Sequence, residues 1–247
     1  MALYQINISY DGTDFYGYQR QTDRRTIQGE IELALKKIGW KDDSIISSGR
    51  TDAGVHADGQ VARFDLEWKH SENQLRKALN ANLPADISIN SLRQVVDKEF
   101  HPRFDAKTRV YRYQIYLSEH RYPLLDRFHW QIWPEPEESL IHTATQEFIG
   151  FKDFRAFGRP YQSGGRTVRI IHKAEWIKKG DSPVRLDFRI EGNSFLYHMV
   201  RRLVFILIKV GQGRISISHV IDAFEGNDNL PAGIAPAKGL FLEKINY

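Results

Sequence analysis

The chain of 247 residues predicts an α+β fold built as two similar halves. Three features predict it. Strand-like and helix-like segments alternate through the first half, and the rhythm restarts with a strong strand after residue 105. No low-complexity tract, short-period repeat or linker composition interrupts it. The expected division is 1–104 and 105–247. Each half would carry a mainly antiparallel sheet with helices on one face, leaving an active-site cleft between the halves for a large ligand.

The elements follow from local patterns. Ile6, Ile8 and Tyr10 alternate with Gln5, Asn7 and Ser9, the period of a half-buried strand. Thr26 is placed to cap a helix with the apolar stripe Ile27, Ile31, Ala34, Leu35 and Ile38, which Gly39 stops. Strands are expected at 44–47 and 60–66, the second with Ala62, Phe64 and Leu66 on one face. Ser71 and Gln74 form a capping box ahead of Leu75, Ala78 and Leu79. A turn at 83–86 leads into a strand over 87–96.

In the second half, 109–117 reads as a strand with Tyr111, Tyr113, Ile115 and Leu117 facing one way. A helix follows near 137–149, then strands at 168–177 and 184–191 joined by a turn. Residues 195–210 are apolar almost all round, the pattern of a buried helix. A capped helix at 216–224 and a last strand at 240–245 complete the chain.

Composition narrows the function. There is no cysteine, which excludes disulfides, thiolate zinc sites and cysteine nucleophiles. The amino terminus enters a strand pattern directly, without the regions of a signal peptide. The longest apolar run, 203–208, is too short to span a bilayer, so a cytoplasmic protein without membrane contact is expected. Lys and Arg number 35 against 31 Asp and Glu, a net charge of +4, with a pI near 9.1. That is compatible with nucleic acid and does not establish it. Arginines cluster locally, and aromatic residues run among them in Val110-Tyr111-Arg112-Tyr113 and Phe154-Arg155-Ala156-Phe157. Such interleaving suits stacking on bases beside neutralised phosphates; it also describes surface arginines beside core rings.

The most informative stretch is residues 47–57, where Asp52 sits among small, turn-prone residues between two strand-like segments. Loops held by rigid elements commonly carry catalytic groups. A carboxylate, with a reference pKa of about 3.9, is a nucleophile that needs no neighbouring base. Gly49 and Gly54 allow a sharp bend and close approach of a ligand. A plain Asx-turn would use the same residues. An Asp52–His56 dyad or metal pair lacks a third ligand nearby, and an Asp52–Asp58 carboxylate pair rests on spacing alone. Arg201 and Arg202 head the apolar helix, where a partly desolvated guanidinium needs an anion or a backbone carbonyl. Gly211-Gln212-Gly213 is a weak match to a phosphate loop, and no nucleotide fingerprint is present; Ser163-Gly164-Gly165-Arg166 suits a plain turn better than an anion nest.

Several ordered segments together resemble the TruA-type tRNA pseudouridine synthase family. They are Tyr10-Asp11-Gly12-Thr13 with Gly17-Tyr18-Gln19-Arg20-Gln21, then Ser48-Gly49-Arg50-Thr51-Asp52-Ala53-Gly54-Val55-His56-Ala57 with Gly59-Gln60-Val61. They continue through Leu79-Asn80-Ala81-Asn82-Leu83-Pro84, Phe104-Asp105-Ala106-Lys107, Tyr111-Arg112-Tyr113, Phe195 to Arg201 and Lys238-Gly239-Leu240-Phe241-Leu242. Tyr18 stands where that family usually has Trp.

The resemblance implies isomerisation of uridine to pseudouridine at positions 38–40 of the tRNA anticodon stem-loop. By position, Asp52 would be the nucleophile and Arg50 would fill the space of a flipped-out base. Tyr111 would stack on the target uracil and Arg201 would pair with Asp52. No cofactor or metal is implied, and a homodimer would bind the tRNA. Two other readings fit the residues: a non-catalytic RNA-binding module, and a hydrolase that uses Asp52 on nucleosides or glycosides.

Overall fold

The computed structural model describes residues 1–227 and 229–247. In chain order the first elements are β1 (Ala2–Tyr10), α1 (Ile27–Lys37), β2 (Ile46–Ser47), β3 (His56–Leu66), α2 (Glu72–Asn82) and β4 (Ile87–Val95). Next come β5 (Thr108–Leu117), α3 (Pro123–Asp126), β6 (Trp130–Ile132), α4 (Glu138–Gln146) and β7 (Gly150–Asp153). The last are β8 (Val168–Lys179), β9 (Val184–Gly192), α5 (Met199–Gly211), α6 (Ile217–Phe224) and β10 (Leu240–Asn246). They form two units. One is Met1–Lys107 with Phe241–Tyr247, the other Thr108–Leu240.

The first unit has the strand order β4-β1-β3-β10, with β2 also on β3. β1 runs antiparallel to β3 and β4, while β10 joins β3 in parallel. Ile6, Ile8 and Tyr10 are buried from β1, as their alternation predicts. The register of β1 on β3 steps from Ile8↔Gln60 to Tyr10↔Ala57, an irregularity of the kind that re-aims a side chain at a sheet's end. β3 starts at His56, earlier than the alternation in 60–66 suggests. Ala57, Gln60, Val61 and Ala62 are all buried, so period two is lost, as in a strand covered on both sides. Gly59 allows the backbone of β10 to approach: a Cβ there would lie 2.5 Å from the Glu243 carbonyl oxygen.

Local caps fix the helices. The Thr26 side chain accepts from the Gly29 N–H at the start of α1, and Ser71 and Gln74 close a capping box on α2. Each such cap stabilises a helix start by about 1 kcal/mol. α2 packs on β4, with α1 beside it.

The second unit has the order β5-β9-β8-β7, antiparallel throughout, with the short β6 parallel to β5. α4 packs against β8 and α5, α6 against α4, and α5 against β5. α5 buries most of its length, including Leu203, Val204, Ile206, Leu207 and Ile208. It begins at Met199, not at 195. His198 precedes it with φ 64, a left-handed conformation that costs a non-glycine residue about 1–2 kcal/mol. An unbroken apolar run carries no mark of such a start.

Phe154 and Phe157 are fully buried. They join Phe148 and Phe224 in a ring cluster packed mostly edge-on, with Phe157 tilted on Phe224. The rings of that arginine-interleaved stretch therefore belong to the core and are not base platforms.

Candidate active site

The Asp52 loop is held from beneath by residues 12–18. The Tyr18 N–H donates to the Thr51 carbonyl at 3.0 Å, and the Tyr18 carbonyl accepts from the Gln28 N–H at 2.9 Å. Tyr18 thus ties the first turn of α1 to the residue before Asp52. The Gly17 carbonyl accepts from the Ile27 N–H at 3.2 Å, and the Gly54 N–H donates to the Phe15 carbonyl at 3.4 Å. Within the loop the Val55 N–H returns to the Asp52 carbonyl at 3.1 Å, and Gly54 takes φ 75.

Two glycines make this stacking of backbone on backbone possible. A Cβ on Gly12 would lie 2.0 Å from the Val55 carbonyl oxygen. One on Gly17, itself at φ 92, would lie 3.0 Å from the Thr51 carbonyl oxygen.

A buried polar network grips the other side of the loop. The Tyr10 and Thr51 hydroxyls are 2.8 Å apart. Ser48 Oγ donates to Gln60 Oε1 at 2.6 Å, and Gln60 Nε2 donates to the Gly49 carbonyl at 3.1 Å. Gln60 is fully buried, Ser48 and Tyr10 nearly so. Burial pushes the Tyr10 phenol pKa up, while hydrogen bonds with Thr51 and Gln60 pull it partly back. Of the residues just ahead of Asp52, Gly49 and Thr51 are bonded to this network or to Tyr18, while the Arg50 side chain is exposed. Asp52 itself is half-buried. Sequence reasoning missed the network, because Tyr10 reads as a core ring and Gln60 as a strand residue.

His56 is fully buried. Its Nδ1 accepts from the Gly12 N–H at 3.0 Å and lies 3.1 Å from Asp11 Oδ1. Its ring stacks on Phe241 at 4.7 Å. These contacts give His56 a structural part in seating β10 and the Gly12 turn. Asp58 is exposed. Among the described residues no cluster of three or more His, Asp or Glu side chains is placed to hold a metal ion.

The second unit carries Tyr111 and Arg201. Tyr111 is half-buried on β5 opposite Ile190, with its ring edge-on to Phe195 at 5.0 Å and 82°. The neighbouring Arg109 Nη1 donates to the Asn193 carbonyl at 2.8 Å. Arg201 lies in the first turn of α5, also half-buried. Its Nε donates to the Ala235 carbonyl at 2.7 Å, and its own carbonyl accepts from the Ala235 N–H at 3.1 Å. The segment 231–236 is further held by Arg202 Nη1, which donates to the carbonyls of Pro231 and Gly233, and by the Tyr113 hydroxyl on the Pro236 carbonyl at 2.7 Å. Burial pushes the Tyr113 phenol up and the Arg201 charge opposes it.

Gly213 ends α5 at φ 66, and a Cβ on Gly211 would strike Ile141 and Pro136. Those glycines serve helix termination and packing. Residues 163–165 form a turn closed by the Gly165 N–H on the Gln162 carbonyl.

Among the described residues no helix is long and apolar enough to cross a membrane. A family model described as tRNA pseudouridine synthase matches residues 6–105 and 144–247. The tRNA pseudouridine synthase A of Geobacillus sp. (strain WCH70) is 42% identical over 246 residues, covering 98% of this chain and 97% of its own. The proteins of that name from Fervidobacterium nodosum and Pseudothermotoga lettingae are 39% and 38% identical, each covered over 100% of both chains.

Proposed function

This chain belongs to the tRNA pseudouridine synthase family, and from that premise we propose that it isomerises uridine to pseudouridine at positions 38–40 of the anticodon stem-loop, with Asp52 as nucleophile. It is an enzyme, an isomerase acting on uridine in tRNA. The observation that carries the finer reading is the treatment of one short loop. Ser48, Gly49 and Thr51 are fixed by buried hydroxyls and an amide on one side, and Thr51 by a backbone bond from Tyr18 on the other. A loop used only to turn the chain has no need of so many supports. A loop that must aim one carboxylate does, since small displacements of a reacting group are costly in rate.

The chemistry asks little else of the protein. The target base leaves its stack, at a cost of a few kcal/mol. The bond between C1′ and N1 breaks, the uracil turns, and C1′ joins C5. The hydrogen on C5 is lost and N1 gains one, so the reaction is a balanced isomerisation. On this reading Arg50, exposed beside Asp52, occupies the vacated space in the helix. Tyr111, held edge-on by Phe195, offers its ring to the uracil. Arg201, with its plane set by Ala235, is the cation for the Asp52 carboxylate. The working form in this proposal is a cytoplasmic homodimer.

The test is direct. Purified protein is incubated with an unmodified tRNA transcript, and pseudouridine is mapped along it. Pseudouridine at 38, 39 or 40 is expected. Modification only elsewhere would refute the assigned positions, and release of free uracil would point to a hydrolase.

A further inference from the structure

The loop before α5 carries a feature that the proposed mechanism does not use. The rings of Tyr197 and His198 stack with centroids 3.7 Å apart and planes 25° apart. Tyr161 stands edge-on to Tyr197 at 5.9 Å and 64°. The overlap of these adjacent rings coincides with the left-handed conformation of His198. A strained residue of this kind persists where surrounding structure holds it, commonly beside a functional surface. The hold is visible: the Tyr197 N–H donates to the Arg159 carbonyl at 2.9 Å and the Arg159 N–H to the Tyr197 carbonyl at 3.3 Å. Tyr197 nevertheless stays 39% exposed and Tyr161 55% exposed.

The charge of the segment that carries Tyr161 is one-sided. From residue 153 to 169 there are four arginines and one carboxylate, Asp153, and Arg155 already binds that carboxylate. Among the described residues Arg159, Arg166 and Arg169 have no carboxylate partner. Arg169 Nη1 donates only to the carbonyls of Arg166 and Val168, and its buried Nε has no hydrogen-bond partner. Unbalanced guanidiniums beside exposed, pre-stacked rings match the chemistry of a single-stranded nucleic acid, whose bases stack while its phosphates take the charge.

We propose that Tyr197, backed by His198 and walled by Tyr161, is a stacking site for an unpaired base of the RNA substrate, with Arg159, Arg166 and Arg169 on the adjoining phosphates. This rests on the reading of the chain as acting on tRNA, and it adds a contact to a base other than the reacting uridine.

The experiment measures binding of the full-length protein to a tRNA transcript and to two short probes, an oligouridine and an abasic oligomer of equal length and charge. Tyr197→Ala is expected to weaken tRNA and oligouridine binding by about tenfold and leave the abasic probe unchanged. Tyr197→Phe, which keeps the ring, should bind within about twofold of wild type. Arg169→Gln should weaken all three probes and lower the salt dependence by about one counterion. A folded Tyr197→Ala that binds oligouridine like wild type overturns the proposal. Should Tyr197→Ala fail to fold, the exposed Tyr161→Ala decides, a several-fold loss on oligouridine alone supporting the site and no loss overturning it. Wild-type protein that binds RNA but forms no pseudouridine would sink the catalytic reading alone, because these affinities do not depend on turnover.

Discussion

The hydroxyls of Tyr10 and Thr51 meet at 2.8 Å in the interior of the first unit, one residue ahead of Asp52. Thr51→Val keeps the shape and removes one partner from a buried pair. Leaving the other hydroxyl short of a bond costs about 1–3 kcal/mol. Urea denaturation should show that loss. Single-turnover pseudouridine formation should slow while tRNA affinity holds, and Thr51→Ser should restore both. An unchanged rate in a destabilised Thr51→Val would mean that the bond supports the fold without aiming the loop.

Gly12 tests the backbone contact under the same loop. A methyl group there would sit 2.0 Å from the Val55 carbonyl oxygen, whereas one on Gly49 meets nothing within 4 Å. Gly12→Ala should lose at least about 2 kcal/mol, and Gly49→Ala should stay within about 0.5 kcal/mol of wild type. Thermal melts of the two variants check the contrast.

Tyr18 is almost fully buried, and its hydroxyl has no hydrogen-bond partner. Burial pushes its phenol pKa up, Tyr10 adds to that, and the Ser47 side chain opposes it without completing a well-formed hydrogen bond. Tyr18→Phe removes an unsatisfied polar atom and should leave stability equal or raise it by up to about 1 kcal/mol. Tyr18→Trp, the residue usual in the family, overfills this core and should cost about 1–3 kcal/mol. A melting temperature that falls for Phe and rises for Trp would contradict this packing.

How legible all this is in the sequence depends on how local the cause is. α1 and α2 follow from Thr26 and from the Ser71–Gln74 pair, because a cap acts within one turn. The two-halved α+β class follows from period-two and period-3.6 patterns in long elements. Short elements such as β6 and β7 carry too few residues for a period. β3 hides its start because it is covered on both sides, and α5 hides its start because nothing in an apolar run marks a left-handed His198. The Asp52 loop is visible from its small residues. The Tyr10–Thr51 and Ser48–Gln60 bonds join residues 41 and 12 positions apart, and only folding makes them neighbours.

Lys238 and Asp126 give a pH prediction in the second unit. The Lys238 ammonium, bonded to Asp126 Oδ1 at 2.7 Å, holds that carboxyl below its ordinary value against the opposing effect of burial, with Arg121 assisting. A carboxylate with a depressed native pKa adds stability above its unfolded value, about 3.9, and loses it as pH falls through the native one. Lys238→Met should therefore be less stable than wild type at pH 7 and pH 5, and the gap should close below about pH 4. Urea melts across that range measure it. A gap that widened in acid would reverse the sign and refute the assignment.

The most direct test is pseudouridine formation by Asp52→Ala on a tRNA transcript, followed in a single turnover beside a binding measurement on the same preparation. The expected result is no detectable product and tRNA affinity within a few-fold of wild type. Product formed by Asp52→Ala at a rate near that of wild type would contradict it.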